Sequence, residues 1–270
     1  MSPRHGRSEA PGGVTVRQVG IVGDIATVAR RSVRSLLREP EALAPALLIP
    51  TFFFVVNIGV LETFVERVPG IDYRAFQVPV AIIFAVTGIS RASMLVIDIQ
   101  TGYLSRMLVT PVRRTTLLLG LMVADVVLAL GLSIVVVIMG FAFGVSFGTG
   151  PLGIAVFLCL AVAWSLAFTG FPYTVALRTG NPAAVNSAFL IFFPFAFLTP
   201  AYLPREFMAG WMQTVAAWNP VTYLLEAMRS LLSQGWDAAA LSKGAAAIGG
   251  LGLVTFIMAF RSLARRVSTG

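Results

Sequence analysis

Few side chains in this chain are capable of chemistry, and they are widely spaced. Asp125 lies well inside an apolar run from 116 to 143. An ionised carboxylate at that depth costs about 3 kcal/mol on insertion scales, so it must face other helices and be paired or protonated, as an interhelical hydrogen bond or as a proton relay. Glu226 and Arg229 share one helical face with Thr222 and are spaced to pair. Arg91, near the end of another run, can snorkel to the interface. The lone Cys159 reads as a small packing residue and the lone His5 lies in an N-terminal tail, which removes thiolate clusters and histidine chemistry. The only lysine, Lys243, stands in Leu241-Ser242-Lys243-Gly244 without the glycine-rich loop of a phosphate site, so the chain cannot bind and hydrolyse ATP in the Walker manner. Zinc-protease, paired-carboxylate and nucleophile-elbow motifs are missing as well, leaving no catalytic and no metal-ligating residues to name.

The elements that hold these residues are membrane helices. Hydrophobic residues are 57% of the chain and charged ones 12%, against roughly 45–50% and 25% in soluble domains, so an aqueous fold would have nowhere to put its apolar surface. A crossing needs about 20 apolar residues. Six runs qualify, at 43–61, 77–97, 116–143, 152–177, 184–203 and 244–261, and predict an all-α, polytopic fold with a six-helix transmembrane body over 43–261. Gly140 with Gly144, and Ala245 with Gly249, are small-residue pairs that predict close helix packing.

Arginine placement sets the orientation. Arg4, Arg7, Arg17, Arg30, Arg31, Arg34 and Arg38 precede the first run, Arg106, Arg113 and Arg114 follow the second, Arg178 the fourth, and Arg261, Arg265 and Arg266 the sixth. The positive-inside rule then puts both termini in the cytoplasm. The net charge of +8 is accounted for by juxtamembrane residues beside anionic lipid, with no need of nucleic acid. Residues 1–23 read as a flexible cytoplasmic tail, and 262–270 as a second one.

Three segments outside the runs carry pattern. Residues 24–38 form an amphipathic helix with Ile25, Val28, Ala29, Ser32, Val33, Leu36 and Leu37 on one face and Arg30, Arg31, Arg34 and Arg38 on the other. Asp24 reads as its N-cap, and the helix is predicted to lie along the interface as an elbow. From Asp98 to Arg114 a loop presents Tyr103, Leu104, Met107 and Leu108 at helical spacing, an apolar stripe that must dock on the protein's own helices or on a separate subunit. Residues 204–242 hold Trp211, Trp218, Trp236 and Tyr223, which favour headgroup depth, and Asn219-Pro220 predicts the start of a helix over 221–232. This segment reads as two short helices that dip into the outer leaflet and return.

These features together resemble the permease subunit of type-2 ABC exporters, in the antibiotic- and multidrug-resistance branch. Asp98, Gly102-Tyr103-Leu104, Arg106 and Met107-Leu108-Val109-Thr110-Pro111-Val112-Arg113 are similar to the family's acidic-glycine-aromatic loop and the leucine-rich element after it, and Asn219-Pro220-Val221-Thr222-Tyr223-Leu224-Leu225-Glu226-Ala227-Met228-Arg229 resembles a second family motif. Gln100 departs from the pattern, standing where glutamate is frequent. The resemblance implies an exporter of a hydrophobic or amphipathic substrate that binds no cofactor itself; ATP and magnesium would be held by a separate ABC ATPase subunit. It further implies a second permease subunit, as homodimer or heterodimer. The coupling loop to the ATPase would comprise Asp98, Gly102, Tyr103, Leu104, Arg106, Leu108, Pro111 and Arg113, and the outer gate Asn219, Pro220, Tyr223, Glu226 and Arg229. An ion-coupled secondary transporter and a non-transporting membrane scaffold remain the rival classes.

Overall fold

A computed structural model describes residues 21–37, 40–65, 67, 70–88, 90–102 and 114–268. Among these residues every regular element is helical. In chain order they are α1 (Ile21–Leu37), α2 (Pro40–Val65), α3 (Tyr73–Thr87), α4 (Ala92–Gln100), α5 (Arg114–Ala142) and α6 (Gly150–Thr179). Next come α7 (Pro182–Ala188), a single 3-10 turn, α8 (Phe192–Phe197), α9 (Gly210–Trp218), α10 (Pro220–Arg229), a π-helical turn over Ser230–Gln234, and α11 (Ala238–Ser268). Five stretches are long and apolar enough to cross a bilayer: Ala44–Val65, Tyr73–Gln100, Leu118–Ala142, Gly150–Thr179 and Ala238–Arg265. The protein is therefore a polytopic helical membrane protein.

The remaining expected run, 184–203, is shorter than anticipated. Its helical part spans Pro182–Phe197, interrupted by the 3-10 turn, and ordinary helix gives way to irregular backbone beyond Leu198. Sixteen residues at 1.5 Å each reach about 24 Å, short of about 30 Å of hydrocarbon. The expected count of six thus rests on this short piece.

The second run is not one helix either. It is cut at 88–91, between the end of α3 at Thr87 and the start of α4 at Ala92. The cut coincides with a division of the interior. Val80 to Val86 of α3 belong to one apolar cluster with Phe54, Leu132, Trp164, Phe192 and Leu224. Ala92, Leu95 and Val96 of α4 belong to another, with Val28, Leu118, Leu121, Tyr173 and Leu263.

In α1, Val28, Ala29 and Ser32 are buried while Thr27, Arg30 and Arg34 are exposed, so the predicted apolar face is the one packed, chiefly against α5. The helix already includes Ile21, which places Asp24 inside it and rules out its reading as the N-cap. Close packing also uses other glycines than expected. A Cβ on Gly170 would lie 2.8 Å from the Thr255 backbone, and one on Gly244 would lie 2.7 Å from the Ala227 Cβ, bringing α11 against α6 and α10. Gly140 does approach Val78, but Gly249 has nothing within 4 Å, and Gly144 has φ +84 in the turn after α5. Cys159 is exposed on α6 and faces away from the interior, contrary to its reading as a core packer.

Candidate functional site

Polar side chains gather at three places, each where regular backbone stops. The first is the cut between α3 and α4. Ending a helix inside a membrane orphans backbone groups at several kcal/mol each unless they find partners. Asp125 on α5 supplies one: its Oδ1 accepts from the backbone N–H of Arg91 at 2.7 Å. The Ala92 N–H donates to Ser90 Oγ at 3.2 Å. On the other side of the cut, the Val86 carbonyl accepts from Ser165 Oγ at 3.1 Å, and Trp164 Nε1 donates to Thr87 Oγ1 at 2.9 Å. Oδ2 of Asp125 accepts from Thr169 Oγ1 at 3.0 Å and Tyr173 Oη at 2.8 Å, both on α6. Three donors from two other elements converge on an acceptor-only group, which satisfies the sequence requirement that Asp125 be paired. The Arg91 side chain is buried beside this network, where snorkelling had been expected.

The second place is the far end of α4. Asp98 is 3% exposed and its Oδ2 lies 2.6 Å from Nη2 of Arg31 on α1. The sequence reading assigned Asp98 to a loop, but the helix continues through Gln100 and turns the carboxylate inward. Gln100 Nε2 donates to the Gly180 carbonyl at 2.9 Å, so the glutamine departing from the family pattern bonds the turn after α6.

The third place is the irregular stretch after α8, at the opposite end of the bundle. Its carbonyls are collected by three side chains. Arg229 donates from Nη1 to Pro200 O at 2.7 Å and from Nη2 to Ala201 O at 3.4 Å, while its Nε reaches Phe76 O at 3.2 Å. Gln77 Nε2 donates to Ala201 O at 3.1 Å and to the Tyr73 hydroxyl at 2.8 Å. Asn219 caps α10 by accepting from Val221 N at 3.0 Å, as predicted, and its amide also donates to Phe195 O and Leu198 O at the end of α8. Arg229 further stacks 3.3 Å above the Phe76 ring centroid. Burial pushes the Arg229 guanidinium below its ordinary pKa, against the opposing field of Glu226. Glu226 forms no ion pair with it, so the predicted Glu226–Arg229 bridge is replaced by carbonyl contacts. Both residues instead line a cavity of about 360 Å³ with Phe76, Pro200, Arg205 and Lys243. Tyr223 ties α10 to α9 through Ala217 O at 2.6 Å, and Pro220 holds the first helical position.

The sequence that builds these three places matches a known family. A family model described as ABC-2 type transporter matches residues 24–233. The chain belongs to that family. It is a permease, the membrane component of such a transporter. Among its relatives, a probable doxorubicin resistance ABC transporter permease protein, DrrC, of Mycobacterium tuberculosis is 27% identical over 203 residues, 73% of this chain and 72% of its own. The putative transport permease ycf38 of Cyanophora paradoxa is 25% identical over 223 residues, covering 78% and 75%. The daunorubicin resistance ABC transporter permease protein DrrB1 of Streptomyces coeruleorubidus is 22% identical over 206 residues, covering 75% and 72%.

Within the permease, the residues predicted for a coupling loop, Tyr103, Leu104, Arg106, Leu108, Pro111 and Arg113, lie outside the described residues, as does Arg38. Gly102 is described and takes a φ of +69, a left-handed turn that only glycine adopts readily at the end of α4. Of the arginines predicted for an elbow helix, Arg30 and Arg34 are exposed and Arg31 is turned to Asp98. Sequence reasoning missed Thr169 with Tyr173 and Tyr73 with Gln77. Each pair places two polar groups one helical turn apart in an apolar run, a spacing that marks an inward polar stripe.

Proposed function

We propose that the permease exports a hydrophobic or amphipathic compound of the anthracycline type, driven by ATP hydrolysis in a separate ABC ATPase subunit and working with a second permease copy or sibling. The observation that carries this reading is the family match over 24–233, which runs from α1 through the last described turn before α11. The doxorubicin- and daunorubicin-resistance relatives support the substrate class. The scarcity of buried charge supports it too, since a bilayer-soluble cargo needs no hydrated path.

In this reading the chain sits in a bacterial inner membrane with both termini cytoplasmic, as arginine placement favours. Residues 1–23 and 262–270 are cytoplasmic tails, 24–38 is an interfacial elbow and 43–261 the permease body. The loop that follows α4 docks on the ATPase, with Asp98 holding α4 to α1 behind it, and the Asn219, Pro220, Tyr223, Glu226 and Arg229 region closes the exit. Exposed Trp211, Trp218 and Trp236 support headgroup depth for that region.

The test is reconstitution. Purified alone, the chain is expected to turn over no ATP; with its ATPase subunit in vesicles, it is expected to move doxorubicin in an ATP-dependent way. Replacing Leu104 and Leu108 together with Asp should weaken ATPase-subunit binding by at least about tenfold while insertion is unchanged. Wild-type co-purification and wild-type transport in that variant would show that the loop is not the docking element. Robust hydrolysis by the isolated chain would reject the permease reading itself.

A further inference from the structure

The cut at 88–91 coincides with the seam between two apolar clusters, and that coincidence has a mechanical consequence. α3 packs in one cluster and α4 in the other. Between them the backbone bonds that would make one continuous helix are replaced by side chains, with Ser165 serving the end of α3 and Asp125 and Ser90 serving the start of α4. A helix whose end groups are satisfied by its neighbours can pivot about that end without opening hydrogen bonds to hydrocarbon.

α4 is held at both ends. Its last turn carries the Asp98–Arg31 pair and the Gln100 bond to Gly180, and its first turn rests on Asp125. Asp125 in turn is bonded to α6 through Thr169 and Tyr173, whereas its backbone belongs to α5. One carboxylate therefore joins the start of α4 to two long helices. The hydroxyl chain extends the link, because Thr169 gives its hydrogen to Asp125 and so accepts one from Ser90 at 3.3 Å.

We propose that Asp125 is a positioning residue, the fulcrum that makes α4 and α6 move as one body when the far end of α4 is pushed. The inference rests on the ATP-driven permease reading. Asp125 touches no substrate in this scheme. It converts a push on α4 into a shift of α6, which reaches the opposite face of the membrane at Gly150.

The decisive variant removes the tie to α6 and spares the cap on α4. Thr169→Val with Tyr173→Phe conserves shape and deletes both hydroxyls that Asp125 holds. In vesicles with the ATPase subunit and doxorubicin as probe, this variant is expected to assemble and hydrolyse ATP normally, while transport per ATP hydrolysed falls about tenfold. A distance measurement supplies a readout that simple destabilisation does not move. Spin labels on the exposed native Cys159 of α6 and on an Ile97→Cys substitution in α4 should keep one separation with and without trapped nucleotide in the parent protein. In the hydroxyl-deleted variant that separation should change on trapping. Asp125→Asn, which keeps an acceptor for the Arg91 N–H, should be milder than Asp125→Ala.

Unchanged transport per ATP in Thr169→Val/Tyr173→Phe overturns the proposal, whatever the distance does. Loss of assembly in that shape-conserving variant also counts against it, because the bonds would then be holding the fold together and not linking two moving parts. If the parent complex itself shows no ATP-dependent transport, the permease reading has failed first.

Discussion

Nη2 of Arg31 lies 2.6 Å from Oδ2 of Asp98, joining the N-terminal amphipathic helix to the last turn of α4. The two partners differ in setting: the arginine side chain is 35% exposed and the carboxylate 4%. The acid is therefore the desolvated member, and the interaction is worth more than a surface pair because removing the cation leaves a buried charge alone.

A double-mutant cycle on this pair should show coupling. Arg31→Met and Asp98→Asn are each expected to lower stability by about 1–3 kcal/mol, and the double variant to lose little more than the worse single change. Thermal unfolding in detergent reads the midpoints. Additive losses would mean that the two side chains act separately and that α1 is held to α4 by apolar contact alone.

Arg229 is the corresponding anchor at the other end of the molecule. Its planar fork serves three carbonyls while its face covers the Phe76 ring, a geometry that an ammonium cannot reproduce. Arg229→Lys should cost about 2–4 kcal/mol despite keeping the charge. Glu226→Gln, removing a carboxylate with no ion pair among the described residues, should cost under about 1 kcal/mol. Equal effects in a stability assay would restore the simple ion-pair picture that the sequence pattern favours.

These anchors also mark how far the sequence could be read. Run length is a strong signal because the bilayer punishes any exception, and it predicted five long helices and the inward, paired state of Asp125. The Asn219-Pro220 cap was legible because its chemistry is local. The cut at 88–91 was not, since Gly88 and Ser90 are unremarkable in an apolar run and the groups that make the cut tolerable, Asp125 and Ser165, come from distant helices. Helical spacing allowed Glu226 to pair with Arg229. It carried no information about the carbonyls of Pro200 and Ala201, which compete for the same guanidinium and win because carbonyls of irregular backbone in apolar surroundings must find side-chain donors.

The packing of α6 on α11 yields the last prediction. Gly170 is crossed by Thr255, whose Oγ1 also donates to the Ala167 carbonyl one turn earlier, so no side chain fits between the helices. Gly170→Ala should lower stability by about 1–3 kcal/mol through overpacking. Gly249→Ala, where nothing lies within 4 Å, should stay within about 0.5 kcal/mol of the parent. Matching unfolding midpoints for the two variants would show that the helices are not in contact at Gly170. The comparison also bears on Asp125, because Gly170 follows Thr169 directly in α6. Any separation of α6 from α11 at this point rotates or shifts the hydroxyl that Asp125 holds, so Gly170→Ala should reduce transport per ATP more than its stability loss alone accounts for, and restoring the midpoint with a stabilising change elsewhere should leave that deficit in place.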